Sequence, residues 1–242
     1  MKAGLAIAQR DFRGFLGTPV GWIAACILFL VSGLLFTIVT SQLLMRGEAV
    51  DPVADIMGSL IGFLNYINIF VVPIFTMRVM SEELAQGTFR LQAGAPITST
   101  EIILGKFFGI MFYFGVIALL LLIYPLYVAV FAEPDYKVMA AGFTGLVLNI
   151  AAIVAIGIFV ASLTQNAVIS YLGSVFFIIL FLFSAYIKGV PEWYQRSVNI
   201  LELGNELSRG IMKTSSIAIY LAIVATFLFL SRLVVETKRW RV

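Results

Sequence analysis

The residues able to do chemistry in this chain are few and gathered in one place. Between positions 80 and 106 runs MSEELAQGTFRLQAGAPITSTEIILGK, a polar island that holds the acid pair Glu82 and Glu83, then Gln86, Gly87, Thr88 and Arg90, and closes on Gly105 and Lys106. Adjacent carboxylates invite a hydrolase reading, and a Gly-Lys pair invites a nucleotide-binding one. Neither stands. The chain has no histidine, which removes histidine relays, histidine triads and most metal sites. The acid pair sits in a connector, the wrong place for an intramembrane protease. Gly105 and Lys106 are followed by Phe107 where a phosphate loop carries Ser or Thr, and Thr100 stands where that loop's first glycine belongs. The sequence therefore offers no catalytic residue, no metal site and no nucleotide cofactor of its own, and no enzyme activity is expected.

The elements that hold the island are set by composition. Of 242 residues, 61% are hydrophobic and 12% charged, with a mean hydropathy of +1.04, which places the chain in a membrane. A bilayer core takes roughly 20 apolar residues per helix, and six such runs occur, at 20–43, 57–77, 107–131, 138–162, 167–187 and 216–235. An all-α polytopic membrane protein with six transmembrane helices follows, as one transmembrane domain over 1–242. The lone cysteine, Cys26, lies in the first run and forms no intrachain disulfide. Residues 1–19 precede the first span. There Leu5, Ala8, Phe12, Phe15 and Leu16 recur at helical spacing opposite Lys2, Gln9 and Arg13, the pattern of an elbow helix lying in the interface against membrane lipid.

Six spans put both termini on one side. Ten of the 16 Lys and Arg residues fall on that side, in the two ends and the 78–106 connector, so the positive-inside rule puts the termini and the island in the cytoplasm. That asymmetry accounts for the basic balance, and no nucleic acid partner is needed. The longest outer connector, 188–215, carries Trp193 and Tyr194 after Pro191 and then Val198, Leu201, Leu203, Leu207 and Ile211; it reads as short amphipathic helices dipping into the outer leaflet.

Inside the island, Ser81 is placed to cap a helix, with Glu82 and Glu83 in its first turn. Glu82, Gln86 and Arg90 share a face at that spacing, Gly87 interrupts, and Pro96 closes the segment. Thr98 and Glu101 then form a capping box that opens the third span, where Lys106 is expected to snorkel to the head groups. A short transverse helix hung between two spans results. Within the spans, Asn65 and Asn68 lie a turn apart on one face of the second, either tying helices together or facing a pathway or a dimer partner. Asn149 lies in the fourth span. Pro73 and Pro125 mark a kink or a hinge in the second and third. Gly142, Gly145, Ala151 and Gly157 give the fourth a close-packing surface inside one subunit.

The order MRVMSEELAQGTFRLQAGAPITSTEIILGKFFG resembles the coupling-helix region of type 2 ABC export permeases, above all the gliding-motility-type (GldF-like) branch. FLGTPVGWI resembles that branch's entry to the first span, AIGIFVASLTQN its fourth span, and FLFLSRLVVETKRW its last span and basic tail, so the likeness covers the whole chain. Arg90 stands where that family commonly has an acid. The resemblance implies a permease subunit in the bacterial cytoplasmic (inner) membrane, paired with a second copy or a homologue. It implies docking of a cytoplasmic ABC ATPase dimer, which binds the ATP and Mg, on Glu82, Glu83, Gln86, Gly87, Thr88 and Arg90. An ion-driven transporter lacks its buried charges and inverted repeats here. A mechanical or assembly complex acting on a periplasmic auxiliary subunit without passing a solute stays open beside export.

Overall fold

The computed structural model describes residues 2–46, 52–89, 97–130, 136–184, 203–204, 207, 210 and 213–239, and all its regular structure there is helical. Helix α1 is Lys2–Gly17, α2 Pro19–Arg46 and α3 Pro52–Thr76, which runs on through a π turn, Met77–Glu82, and a last α turn, Glu83–Ala85. Then come α4 Ser99–Leu121, α5 Ile123–Ala129, α6 Tyr136–Leu163, α7 Ala167–Ser184 and α8 Thr214–Arg239. Among the described residues, five helices are long and apolar enough to cross a membrane: 19–43, 54–85, 99–128, 136–163 and 214–239. The fifth expected span, 167–187, is represented by α7, a shorter apolar helix, and the residues that directly follow Ser184 lie outside the described set. So do Arg90, Pro96, Trp193, Tyr194, Val198, Leu201 and Ile211.

Helix α6 is the centre of the bundle, packed by α3, α4, α7 and α8. Residues 149–158 are buried on every side, as an all-apolar helix must be when other helices surround it. Lipid is as apolar as leucine, so close packing rather than hydrophobic transfer holds such helices together. The glycines show it. A Cβ on Gly157 would meet Thr76 Oγ1 at 2.5 Å, and one on Gly145 would meet Leu207 Cβ at 2.7 Å. The small-residue surface of this helix thus works inside one chain.

Both intrahelical prolines leave visible marks. Pro73 stays within α3, and Thr76 Oγ1 donates to the Pro73 carbonyl at 3.1 Å. Four residues on, the helix widens into the π turn, a rare form that inserts one residue into the helical register. Pro125 sits just past the break between α4 and α5 at Leu122, since it can give no N–H to the carbonyl of Leu121. Tyr124 beside it donates to the Phe29 carbonyl at 3.0 Å and fastens α5 to α2.

The Thr76 and Gly157 contact gives a direct check on the central packing. Gly157→Val is expected to lower the thermal midpoint in detergent, at a cost of about 1–3 kcal/mol for overpacking. Thr76→Ala combined with Gly157→Ala should recover most of what Gly157→Ala alone loses.

Candidate functional site: a charged junction under the polar connector

Helix α1 lies close across the first turns of α4 because small residues, Gly4 and Ala8 on one and Gly105 and Gly109 on the other, meet where they cross. A Cβ on Gly105 would stand 2.7 Å from the Gly4 carbonyl, and one on Gly109 would stand 3.1 Å from the Ala8 carbonyl and 3.0 Å from Asp11 Cβ. Gly105 and Gly109 are four apart, as are Gly4 and Ala8, the small-residue spacing that lets two helix backbones approach. The crossing is locked at its other end by rings. Phe15 packs edge-on to Phe75 at 5.0 Å and to Tyr113 at 5.5 Å, and the Tyr113 hydroxyl donates to the Gly21 carbonyl at 2.6 Å.

That approach brings four charges together. Lys106, next to Gly105, is 0% exposed; its Nζ donates to the Val79 carbonyl at 2.5 Å and pairs with Glu83 Oε2. Arg10 reaches the other oxygen of Glu83 at 2.5 Å and Asp11 Oδ1 at 2.7 Å. Burial pushes the Asp11 carboxyl up from its usual range, and Lys106 and Arg10 pull it back. Two cations and two carboxylates thus balance at the point where α1, α3 and α4 meet. The π turn has a part in this, because the Val79 carbonyl that Lys106 engages lies within it.

The expected Ser81 cap is not formed. The second span does not stop there but continues to Ala85, and the buried Ser81 hydroxyl donates instead to the Ala161 carbonyl at the end of α6, at 2.9 Å. The break falls at Gln86 and Gly87, where Gly87 takes φ +73°, a left-handed conformation that glycine adopts without penalty. Lys106 does not snorkel either; the ion pair holds it inside. The Thr98 and Glu101 capping box is present with both of its hydrogen bonds.

The sequence-derived docking residues therefore divide. Glu83 is turned into the junction. Glu82 is half-exposed and faces Arg78 at 3.8 Å, Gln86 and Thr88 are exposed, and Thr88 Oγ1 donates to the Glu83 carbonyl at 3.3 Å. Phe89 is buried. Where the connector returns, Arg239 of α8 donates to the Ile97 carbonyl at 2.7 Å. Asn65 and Asn68 are not on the outer surface of the chain: they are buried in its own bundle, and the face that α3 exposes there carries Phe63, Tyr66 and Phe70. Arg10 and Asp11 are the members of the junction that sequence reading passes over. Their signal is the pair of small-residue spacings, which predicts that α1 crosses α4 closely enough to carry them in.

Spanning-length helices gathered around a buried charged junction, with a helix strapped across it, define a polytopic helical membrane protein. The chain belongs to the ABC-2 type transporter family, whose profile matches residues 3–213. No curated protein matches it. It is thus the membrane domain of an ABC permease, a family whose members normally work with an ATPase and a second permease subunit.

The junction makes a signed prediction. Glu83→Gln leaves Lys106 buried without its counter-charge and should destabilise by about 3–5 kcal/mol, read as a lower thermal midpoint of the purified protein. Lys106→Met added to Glu83→Gln removes the orphan charge and should restore much of that loss. A single mutant as stable as the parent would mean the pair is not buried.

Proposed function

We propose that this chain is one half of an ABC exporter of the gliding-motility-type branch, and that residues 82–90 receive the motion of a cytoplasmic ATPase pair that binds ATP and Mg. The observation that carries this is how the connector is rooted. Its first limb is held by Glu83 to Arg10 and Lys106 and by Ser81 to Ala161, and its return by Arg239 to Ile97. Between those roots, Ala85, Gln86 and Thr88 stand exposed around the Gly87 bend. A segment exposed at Ala85, Gln86 and Thr88 and fixed at its base to α1, α4, α6 and α8 passes a push to four helices at once. In this reading Gln86, Gly87, Thr88, Glu82 and Arg90 meet the ATPase, and Glu83 anchors them. A second permease subunit, the same chain or a homologue, completes the transporter.

Both chain ends and residues 82–90 belong in the cytoplasm on the strength of the basic asymmetry, and the resemblance to export permeases puts the protein in the bacterial inner membrane. The mechanical reading, with a periplasmic auxiliary subunit moved in place of a solute, uses the same rooted segment. It differs in what the far side of the protein touches.

Two experiments test the proposal. A photo-reactive residue at Gln86 should cross-link to a protein containing a phosphate-binding loop. Gln86→Arg with Thr88→Glu should weaken co-purification of that protein at least tenfold, about 1.4 kcal/mol, without changing the permease's thermal midpoint. An unchanged complex would sink the docking assignment. For topology, in a Cys26→Ser background, Glu192→Cys should react with a membrane-impermeant maleimide on intact cells and Gln86→Cys should not. The reverse pattern would invert the orientation.

A further inference from the structure

The close crossing of α1 and α4 leaves a space beside it. A Cβ on Gly4 would stand 3.1 Å from the Glu101 carbonyl, so the two backbones touch there. The residues that allow this contact, Gly4, Ala8 and Gly105, carry nothing larger than a methyl group to fill the wedge where the helices diverge. An open cleft of about 460 Å³ results, within the roughly 300–1,000 Å³ typical of ligand sites. Leu5 lines it from α1, and Leu104, Phe108 and Phe112 line it from α4; all four are exposed on the outside of the bundle. Glu101, Leu104, Phe108 and Phe112 fall on one face of α4 at helical spacing. Glu101, in the first turn of α4, is the one charged residue of the lining.

We propose that this cleft is a phospholipid site, in which one acyl chain of the bilayer leaflet on the side of the connector fills the wedge between α1 and α4. The occupant follows from where the cleft lies and how it is shaped. The α4 wall belongs to a membrane-spanning helix, so the medium against it is hydrocarbon. From Glu101 to Phe112 the wall runs roughly 16 Å by helical rise, close to the roughly 15 Å of one leaflet's share of the hydrocarbon core. Its polarity runs the same way, with the charge at the helix start and rings at the deep end. A helix of a second copy is about 10–12 Å across, too broad to enter a wedge that narrows to backbone contact, whereas a hydrocarbon chain can follow it inward. Exchanging lipid for lipid gains nothing by transfer. The chain is held instead because it touches two walls at once, where an empty wedge would forfeit dispersion contacts on both. Lipid thereby supports α1 on α4, and with it the Arg10 and Asp11 that α1 carries to the charged junction. This inference rests on the membrane placement of the chain and not on the proposed ATPase docking.

The test uses the full-length protein in phosphatidylcholine nanodiscs doped with a phosphatidylcholine that carries a diazirine in mid-chain, irradiated and read by mass spectrometry of the peptides. Adducts on the segment from Leu104 to Phe112 are expected several-fold above those on Leu30 and Leu34 of α2 and Phe176 of α7, which are at least as exposed but line no such cleft. Leu5→Trp, or Leu104→Trp where the first does not fold, fills the wedge with protein and should bring the α4 adducts down to the level of those controls. Equal labelling of all these surfaces in the parent would overturn the proposal and mean ordinary boundary lipid only. The occupant is checked separately with a benzophenone amino acid in place of Phe112. Its expected product is one protein chain plus one phospholipid, and a product joining two protein chains would overturn the proposal in favour of a second copy.

Discussion

Lys106 is the constraint around which one end of the molecule is arranged. An ammonium fully removed from solvent carries a desolvation penalty of several kcal/mol even after relaxation, and it persists only where carboxylates and carbonyls surround it. Glu83 must therefore lie within reach, which requires the second span to continue helically past Ser81. The carbonyl of Val79 must point sideways, and the π turn supplies it. A single lysine coupled to Glu83 would still leave a carboxylate oxygen to satisfy, and Arg10 takes it, steadied in turn by Asp11. That last requirement fixes α1 across α4, and the glycines at the crossing are what permit it.

The alternative, an apolar junction of the same shape, would often be as stable or more so. What charge adds is a demand for one arrangement. Apolar side chains at a helix crossing tolerate small slips in register, whereas the Glu83 carboxylate holds its two cations on opposite oxygens and loses both when it moves. In the exporter reading, this is a useful property for a connector that has to carry displacement without absorbing it.

Much of this architecture is legible in the residues, and the parts that are not share a cause. Hydropathy finds the spans closely: the fourth, expected at 138–162, is Tyr136–Leu163, and the last, expected at 216–235, is Thr214–Arg239. The Thr98 and Glu101 box is local chemistry between neighbours in sequence, and both of its bonds form. Rotation of a helix about its own axis is different. In α3, α4 and α6 nearly every face is apolar, so no polar stripe tells which side looks inward, and Asn65 and Asn68 turn out to face the chain's own core. Lys106 shows the same gap. Its type and its position near a helix end fit a lysine that reaches for the head groups, and only the glycines beside it, read together with those in α1, point to a close crossing that encloses it. The π turn has no marker in the residue types; it follows from the joint demands of Pro73, Ser81 and Lys106.

Helix α3 links the two polar groups, with Glu83 and Ser81 near one end and Asn65 and Asn68 roughly 20–27 Å away by helical rise. The charged group binds it through ion pairs and buried carbonyl contacts, which resist displacement because each broken partner leaves a buried charge. The amide group holds it through neutral contacts, which leave no buried charge when they break. In the exporter reading, a helix gripped hard at one end and more softly at its middle would act as a lever whose load is felt at the softer contact. Between the two lies Pro73, where the helical hydrogen bond is missing but Thr76 occupies the Pro73 carbonyl and packs on Gly157. Those contacts hold α3 against α6 at Pro73, and in the exporter reading a displacement imposed at Glu83 would travel past it. It would reach the asparagines and Gly204, which packs against Asn65.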